Sequence, residues 1–256
     1  MIDFAGATKC FGGQRAVGPL SLFIPKGQFV AVLGGSGSGK TTALKMINGL
    51  VRPDSGSVSV GGHLVGSGCL SELRRKIGYV FQDIGLFPHM TVAENIAIGP
   101  RLARWSPDRI AERVRELLQL VALPSDIGRR MPSALSGGQR QRVGVARGLA
   151  AGPDVMLMDE PFGALDPITR DALGSEYRSL HNSLGLTTIM VTHDVTEALR
   201  LAERVVVLDR GTICADSTPR ELLGGHASLV VQALIETSRR QARQIAALAA
   251  SDARDE

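Results

Sequence analysis

The chain has 256 residues, enough for one large folded unit, and a formal net charge of +4. Basic and acidic residues are interleaved and only 4% of residues are aromatic, which argues against a nucleic-acid-binding surface. Cys10, Cys69 and Cys214 are widely separated and form no C-x-x-C pair, so neither a disulfide framework nor a zinc site is indicated.

The first third of the chain alternates short apolar segments with glycine-rich turns. The apolar run Phe29–Leu33 predicts a buried strand, a glycine loop follows it, and residues 41–50 have a helical pattern. Strands are predicted at residues 2–4, 20–24, Phe29–Leu33, 57–60 and 77–81.

From residue 91 to residue 151 the apolar residues recur at helical spacing. Ser106 and Pro107 are typical of a helix start, as N-cap and first-turn proline. Strands and helices then alternate again, and residues 226–250 have the pattern of one amphipathic helix. The later strands are predicted at residues 155–158, 187–191 and 205–208, with a helix at Pro167–Leu184. This alternation predicts an α/β fold with a parallel sheet and a helical insertion.

A helix that crosses a bilayer needs about 20 apolar residues. The sequence contains no uninterrupted run of 18, and its first residues lack the apolar core of a signal peptide. We therefore expect a cytosolic protein, or one held at a membrane by a partner.

Residues 34–41, GGSGSGKT, form a glycine loop between a predicted strand and a predicted helix. They fit the pattern G-x4-G-K-[ST] in the context that a phosphate-binding loop requires. The glycines let backbone N–H groups turn toward a phosphate, and the helix N-terminus adds partial positive charge. Lys40 is predicted to reach the β- and γ-phosphates, and the Thr41 hydroxyl to bind Mg²⁺. The predicted nucleotide-binding residues here are Gly34, Gly35, Ser36, Gly37, Ser38, Gly39, Lys40, Thr41 and Thr42.

Two adjacent carboxylates, Asp159 and Glu160, end the apolar strand 155–158. Alone, such a pair could be a solvated strand edge. In a phosphate-loop architecture this strand lies beside the loop, which predicts Asp159 near Mg²⁺ and Glu160 near the attacking water.

A second glycine loop, Leu135-Ser136-Gly137-Gly138-Gln139, follows a proline and starts a helix. Its glycines and the helix N-terminus predict another anion site. Because one nucleotide does not need two such loops, the economical hypothesis is that each loop serves a different ATP across a dimer.

With these residues the sequence resembles ATP-binding cassette (ABC) ATPases over nearly its whole length. The resemblance implies a phosphate-loop NTPase (RecA-like) α/β core, an antiparallel β subdomain and an inserted α-helical subdomain. It also implies a head-to-tail dimer, in which ATP lies between the phosphate loop of one copy and the LSGGQ loop of the other. We expect an ATPase domain at residues 1–225, the helical insertion at about 84–151, and a C-terminal helical extension at 226–256.

The resemblance also assigns roles to single residues. Ser136 and Gly138, with Gly137 and Gln139 beside them, would contact the γ-phosphate bound by the opposite copy. Gln82, in YVFQDIGLF, matches a glutamine that ligands Mg²⁺ together with Thr41 and Asp159. His193, in VTHD, matches a histidine that contacts the γ-phosphate, which makes Glu160, His193 and Gln82 the predicted catalytic residues. Asp166, in GALD, matches a loop that crosses the dimer interface. Phe11 matches the aromatic residue that stacks on adenine, with an ordinary core position as the alternative.

Three longer segments resemble the ATPase subunits of importers for quaternary-amine osmoprotectants such as glycine betaine, choline, carnitine and proline. They are LRRKIGYVFQDIGLFPHMTVAENIA, DEPFGALDPITRDAL and QRQRVGVARGLAAGPDVMLMDEP. This similarity is in non-catalytic positions. The resemblance to ABC ATPases as a whole implies ATP and Mg²⁺ as cofactors. The implied partners are a second copy, integral-membrane permease subunits and, indirectly, a solute-binding protein, with the chain peripheral to the cytoplasmic face of the inner or plasma membrane. No paired CBS module follows the cassette, so we expect no control by ionic strength through such a module.

Other classes remain as alternatives. The chain could serve an importer for another small solute, such as an amino acid, a polyamine or a sulfonate. An export ATPase and a soluble cassette of translation or DNA repair are disfavoured, because the sequence has one cassette, no membrane span, and no coiled-coil or zinc module. The helix at 226–250 is either a simple packing helix or a regulatory or dimer-stabilising one.

Overall fold

The computed structural model describes residues 1–225 and 228–252, with side chains in the last helix described up to residue 240 and for Arg243. The strands are β1 Ile2–Phe11, β2 Gln14–Ile24, β3 Phe29–Leu33, β4 Ser55–Val60, β5 His63–Leu64, β6 Ile77–Val80, β7 Val155–Asp159, β8 Thr187–Thr192, β9 Arg204–Asp209 and β10 Thr212–Ser217. The α-helices are α1 Lys40–Ile47, α2 Leu70–Arg75, α3 Val92–Leu102, α4 Pro107–Leu120, α5 Gly137–Leu149, α6 Pro167–Leu184, α7 Val195–Leu201, α8 Pro219–Gly224 and α9 Leu229–Asp252. Short 3₁₀ helices occupy Ser125–Arg129 and Pro132–Ala134.

The larger sheet has the strand order β10-β9-β3-β8-β7-β6. Its strands are parallel except β10, which pairs antiparallel with β9. Every residue of β3, β7 and β8 is buried, as expected for apolar parallel strands covered on both faces. Because the carboxyl ends of parallel strands meet at one edge, the residues after Leu33, Asp159 and Thr192 lie along the same edge of the sheet.

The smaller sheet is antiparallel, with the order β2-β1-β4-β5. Helix α1 lies between the two sheets and contacts strands of both. Leu44, Met46 and Ile47 of this helix are buried in one apolar cluster with residues of β1, β2, β3 and β9. Both ends of the loop that connects β3 to α1 are therefore fixed by the core.

Helices α3, α4 and α5 lie between β6 and β7 in the chain, and they pack on one another and, through α5, on β6. Helix α3 begins with a capping box, in which Thr91 and Glu94 each accept a hydrogen bond from the other's backbone N–H. This is the predicted helical insertion, and the α/β phosphate-loop fold class is confirmed. The domain boundaries at 84–151 and 225 stay predictions.

Some elements differ from the sequence expectation. Strand β1 extends to Phe11 rather than ending at Phe4, because it pairs with β2 and β4 along its length through several register shifts. Strand β6 ends at Val80, and the next residue, Phe81, is 43% exposed. Helix α1 ends at Ile47, three residues before the predicted end, and β10, α2, α7 and α8 were not predicted.

The last helix, α9, buries Val231 and Ile235 against the core and contacts α7, α8 and β10. The predicted helix started at His226, which lies outside the described residues. None of the helices that the structure describes is long and apolar enough to cross a membrane.

Candidate active site

The loop between β3 and α1 is held tightly at both ends. A Cβ added to Gly34 would lie 2.3 Å from the carbonyl O of Leu208, and one on Gly39 would lie 2.4 Å from that of Ala16. Gly39 also has a φ of 97°, which favours glycine. The sequence therefore needs glycine at these two positions for the loop to fit between β9 and β2.

The middle of the same loop faces outward. Gly35, Ser36 and Gly37 are exposed, and a Cβ added to either glycine would meet nothing within 4 Å. Lys40, at the start of α1, is buried, and its Nζ donates to the carbonyl O atoms of Gly34 and Gly35, both at 2.8 Å. Burial lowers the pKa of Lys40, against the opposing effect of Glu160 and Asp159. The ammonium group thus lies directly beneath an open glycine cradle.

One further polar atom of the loop fits an outside ligand. The Oγ of Ser38 is buried and has no hydrogen-bond partner in the described chain. A buried unpaired hydroxyl is unfavourable unless something satisfies it. Thr42, also predicted to bind the nucleotide, is half-buried in the first turn of α1.

The end of β7 supplies oxygen ligands beside this loop. The Thr41 Oγ1 donates to Asp159 Oδ1 at 2.9 Å, and the Tyr79 hydroxyl donates to Asp159 Oδ2 at 3.4 Å. Burial raises the pKa of Asp159, while the hydrogen bond from Thr41 lowers it. A hydroxyl next to a carboxylate at a partly buried strand end is a donor set that suits Mg²⁺. The predicted ligands Thr41 and Asp159 are thus brought together.

Glu160 follows Asp159 and is held in an unusual backbone conformation. Its φ is 46°, and its backbone N–H donates to the carbonyl O of Val191 in β8 at 2.9 Å. The His193 Nδ1 lies 3.1 Å from Glu160 Oε2. The side chain of Glu160 is 21% exposed and that of His193 is 64% exposed. Two predicted catalytic residues therefore form a pair that solvent can reach.

The third predicted catalytic residue, Gln82, is exposed in the segment after β6. This segment turns at Ile84 and Gly85, both with positive φ. The guanidinium of Arg147, on α5, donates to the carbonyl O atoms of Ile84 and Gly85, both at 2.6 Å. No hydrogen bond joins Gln82 to Thr41 or Asp159 among the described residues, so its role as a ligand stays a prediction.

The second glycine loop lies at the start of α5. The Ser136 Oγ accepts the backbone N–H of Gln139 at 3.2 Å, and the Gln139 Oε1 accepts the N–H of Ser136 at 3.0 Å. Ser136 is exposed, and Gly137 and Gly138 are half-buried. Within the described chain, no hydrogen bond or ion pair connects residues 136–139 to the phosphate loop.

Asp166 is the N-cap of α6, and its Oδ1 accepts the N–H of Thr169 at 3.0 Å. The side-chain hydrogen bond from Thr169 lowers the pKa of Asp166. Asp166 is exposed, and its place at a dimer interface stays a prediction.

Phe11 is at the turn between β1 and β2, and it is 52% exposed rather than part of the core. The Nζ of Lys9 lies 5.4 Å from the centroid of its ring, and Lys9 is itself paired with Asp54. Ala16, on the same hairpin, contacts Gly39 of the phosphate loop, so Phe11 has an open ring on the hairpin that borders the loop.

The sequence analysis missed four residues that support these loops, namely Tyr79, Arg147, Arg170 and Glu197. The partners of Tyr79, Arg147 and Arg170 are carbonyl oxygens or carboxylates in other segments, and no spacing pattern identifies them. The carboxyl of Glu197 instead has a hydrogen bond with the Thr192 hydroxyl. Burial raises the pKa of Glu197 to about 7, since the negative charge of Asp194 adds to the effect and Thr192, Arg170 and His193 only partly oppose it.

The enclosed space at this edge is small. A cavity lined by Glu160, His193 and Glu197 has a volume of about 10 Å³, and a neighbouring one between α6 and α7 has about 240 Å³. A nucleotide-sized ligand needs roughly 300–1,000 Å³. A separate cavity of about 450 Å³ is lined by residues such as His63, Leu70 and Lys76 and by none of the predicted site residues. The candidate site is thus an open surface on this chain.

Comparisons with known proteins agree with this fold. The model of the ABC transporter family matches residues 17–163. The glycine betaine uptake system ATP-binding protein YehX of Escherichia coli (strain K12) is 52% identical over 223 residues, which are 87% of this chain and 72% of that protein. The glycine betaine/carnitine/choline transport ATP-binding protein OpuCA of Bacillus subtilis (strain 168) is 50% identical over 228 residues, 89% of this chain but only 60% of that protein. A solved dimer of the ATP-binding cassette MJ0796, bound to ADP and Pi, matches with a TM-score of 0.77 and 32% identity, over 86% of this chain and 99% of that chain.

Proposed function

Because this chain belongs to the ABC transporter family, we propose that it is the ATP-hydrolysing subunit of an importer for quaternary-amine osmoprotectants. The observation that carries the proposal is the cluster at one edge of the parallel sheet. There the glycine cradle with Lys40, the Thr41–Asp159 pair and the Glu160–His193 pair follow strands β3, β7 and β8. Phosphate-binding groups and a general base are thus placed side by side.

The proposed chemistry follows from these contacts. Backbone N–H groups of residues 35–39 and the Lys40 ammonium bind the phosphates of ATP at the helix N-terminus. Glu160 accepts the proton of the attacking water at its carboxylate, and His193 holds Glu160 in place and contacts the γ-phosphate. Phe11 offers its exposed ring to the adenine.

Thr41 and Asp159, with Gln82, would hold Mg²⁺. When bound, this ion neutralises phosphate charge. The oxygen donor set of Thr41 and Asp159 fits Mg²⁺, and the buried Ser38 hydroxyl, which has no partner among the described residues, fits a bound phosphate.

We propose that the site is completed by a second copy of the chain. The enclosed volume beside Glu160 is far too small for a nucleotide. Among the described residues, neither the loop 135–139 nor Asp166 has a hydrogen bond or ion pair with the phosphate loop. The solved relative MJ0796 is a dimer with ADP and Pi. In the proposed dimer, Ser136 and Gly138 of one copy contact the γ-phosphate held by the other, and Asp166 crosses the interface.

The membrane partners are proposed from the segment around Gln82. Phe81 and Phe87 flank this glutamine and are 43% and 44% exposed. Exposed aromatic residues beside a nucleotide-contacting glutamine are suited to a permease helix that must sense the nucleotide. The chain would then lie at the cytoplasmic face of the membrane, bound to the permease, with a solute-binding protein on the other side.

The ATPase is tested on the purified chain. Glu160→Gln should lower steady-state hydrolysis by at least about 100-fold and leave ATP binding intact, because it removes a general base and keeps the shape of the side chain. The exposed Glu112→Gln is the matched control. Hydrolysis near the wild-type rate in Glu160→Gln would contradict the catalytic assignment.

The substrate is tested by uptake of labelled glycine betaine, choline, carnitine and proline, at low and high osmolarity. The host should lack its other osmolyte importers and carry either the wild-type chain or Glu160→Gln. Loss of uptake of one amine in the variant supports the proposal and identifies the solute. Unchanged uptake of all four would remove the osmoprotectant assignment, and the search would move to other small solutes.

A further inference from the structure

Arg170 connects two loops that border the Glu160–His193 pair. It lies in the first turn of α6, and its Nη1 is 3.1 Å from Oδ2 of Asp194, the residue after His193. Its Nη2 donates to the carbonyl O of Leu165 at 3.1 Å and to that of Gly163 at 3.4 Å. One half-buried guanidinium therefore holds both the segment 163–166 and the segment 192–194.

These contacts close a ring around the catalytic pair. Glu160 is three residues before Gly163 and contacts His193, and His193 precedes Asp194, which contacts Arg170. Asp194 is also fixed from the other side, since its Oδ1 accepts the N–H of Glu197 as the N-cap of α7. The two loops cannot move relative to each other without breaking a contact of Arg170.

We propose that Arg170 is a positioning residue for ATP hydrolysis, which sets the orientation of His193 toward Glu160 and couples it to the segment 163–166. The inference depends on the proposed function, because segment 163–166 includes Asp166, the residue proposed to cross the dimer interface. A planar guanidinium suits this role, since it can bond a carboxylate and backbone carbonyls at once, which a lysine ammonium on a flexible stem does less well.

The test compares Arg170→Ala, Arg170→Lys and Asp194→Asn with the wild-type chain. We expect Arg170→Ala to lower kcat by about tenfold or more, with the KM for ATP within about twofold, because it misplaces catalytic groups without touching the phosphate loop. Arg170→Lys should recover part of the loss. Asp194→Asn keeps a good N-cap for α7 while removing the charge that faces Arg170, and it should also lower kcat.

Two further measurements separate positioning from general stability. Arg178 is on the same helix, is half-buried and pairs with Glu203 at 2.6 Å, so Arg178→Ala is a matched control. In labelled-histidine NMR, the His193 ring resonances, identified by their loss in His193→Gln, should shift in Arg170→Ala and Asp194→Asn but not in Arg178→Ala. The double variant Arg170→Ala/Asp194→Asn should be no slower than Arg170→Ala, because the two groups act through one contact.

Several outcomes would overturn the inference. These are a kcat within twofold of wild type in Arg170→Ala, an equal loss in Arg178→Ala, or unmoved His193 resonances. If the proposed function itself is wrong, the result differs. The wild-type chain would then lack ATP hydrolysis that depends on Glu160.

Discussion

The two glycine loops of this chain both lead into helix N-termini, but they are held in different ways. Residues 34–39 are enclosed at Gly34 and Gly39 by backbone from β9 and β2, and Lys40 and Thr41 bond groups of the same edge. The loop at Ser136 bonds mainly within itself, through the capping box with Gln139.

The difference indicates that the two loops have different roles in nucleotide binding. The first loop has its anchoring groups within one chain, so it should bind a nucleotide without help. The second exposes Ser136 and part of its glycines, so its contribution should depend on a molecule outside the chain. Substitutions in the two loops should then affect different measurements.

The largest effect is expected at the first loop. Lys40→Ala removes a charge-assisted contact with the phosphates, worth about 2–3 kcal/mol, and should weaken ATP binding about 30- to 150-fold. Binding is measured by titration at concentrations where the chain is monomeric. The exposed Lys26→Ala is the control, and unchanged affinity in Lys40→Ala would contradict the assignment of the loop.

The second loop should show the reverse pattern. Gly138→Asp places a carboxylate where the partner's γ-phosphate is proposed to lie, and we expect turnover to fall about 30-fold through charge repulsion. Nucleotide affinity of the monomer should stay within twofold. A Cβ at Gly138 would lie 2.8 Å from Cγ2 of Thr169, so the control is Gly138→Ala, which adds the same Cβ without the charge. A comparable loss of affinity in the monomeric Gly138→Asp would mean that both loops serve one site in one chain.

A third variant examines the sheet edge beside the first loop, where burial within the chain dominates. The carboxyl of Glu197 binds its proton more tightly in the folded chain (pKa about 7) than at its ordinary value of 4.5. The folded chain therefore holds the extra proton between these pH values, and stability falls as the pH rises through this window. Between pH 5 and pH 8, wild type should therefore lose about 1–2 kcal/mol of unfolding free energy relative to Glu197→Gln. This figure is reduced to allow for the partial exposure of the carboxyl group.

This prediction is checked by urea unfolding at both pH values, with Glu112→Gln as the control. An equal pH dependence in wild type and Glu197→Gln would show that Glu197 titrates as an ordinary surface carboxyl.

The smallest effect separates the two roles of Ser136. Ser136→Ala removes the N-cap of α5 and should lower the unfolding free energy by about 1 kcal/mol, whereas Ser136→Asn keeps a cap and should be nearly neutral. If Ser136 also contacts the partner's phosphate, both variants should turn over more slowly. Normal turnover in the stable Ser136→Asn would limit Ser136 to capping.

The predictability of these features follows from the range of the interactions involved. Buried parallel strands such as β3 and the start of α1 at Lys40 follow from local apolar runs and glycine patterns, and they are close to the predicted positions. The extension of β1 to Phe11 depends on pairing with strands far along the chain, which no local window contains.

The same holds for the site. The residues of the phosphate loop and of Asp159 and Glu160 lie in short motifs, and sequence alone places them together. The bond from Arg147 to Ile84 spans 63 residues, and the ion pair of Arg170 with Asp194 spans 24. Such contacts join loops whose relative position is set by the completed sheet, so they emerge only from the fold.

The left-handed backbone of Glu160 has a consequence for protein engineering. A non-glycine residue with a φ of 46° costs on the order of 1 kcal/mol that glycine would not incur. Selection for thermal tolerance alone should therefore favour Glu160→Gly, which relaxes the backbone and deletes the proposed general base together. Variants recovered from such a selection would be thermally stable but catalytically inactive. Any effort to stabilise this chain therefore needs ATP turnover as a second selection criterion.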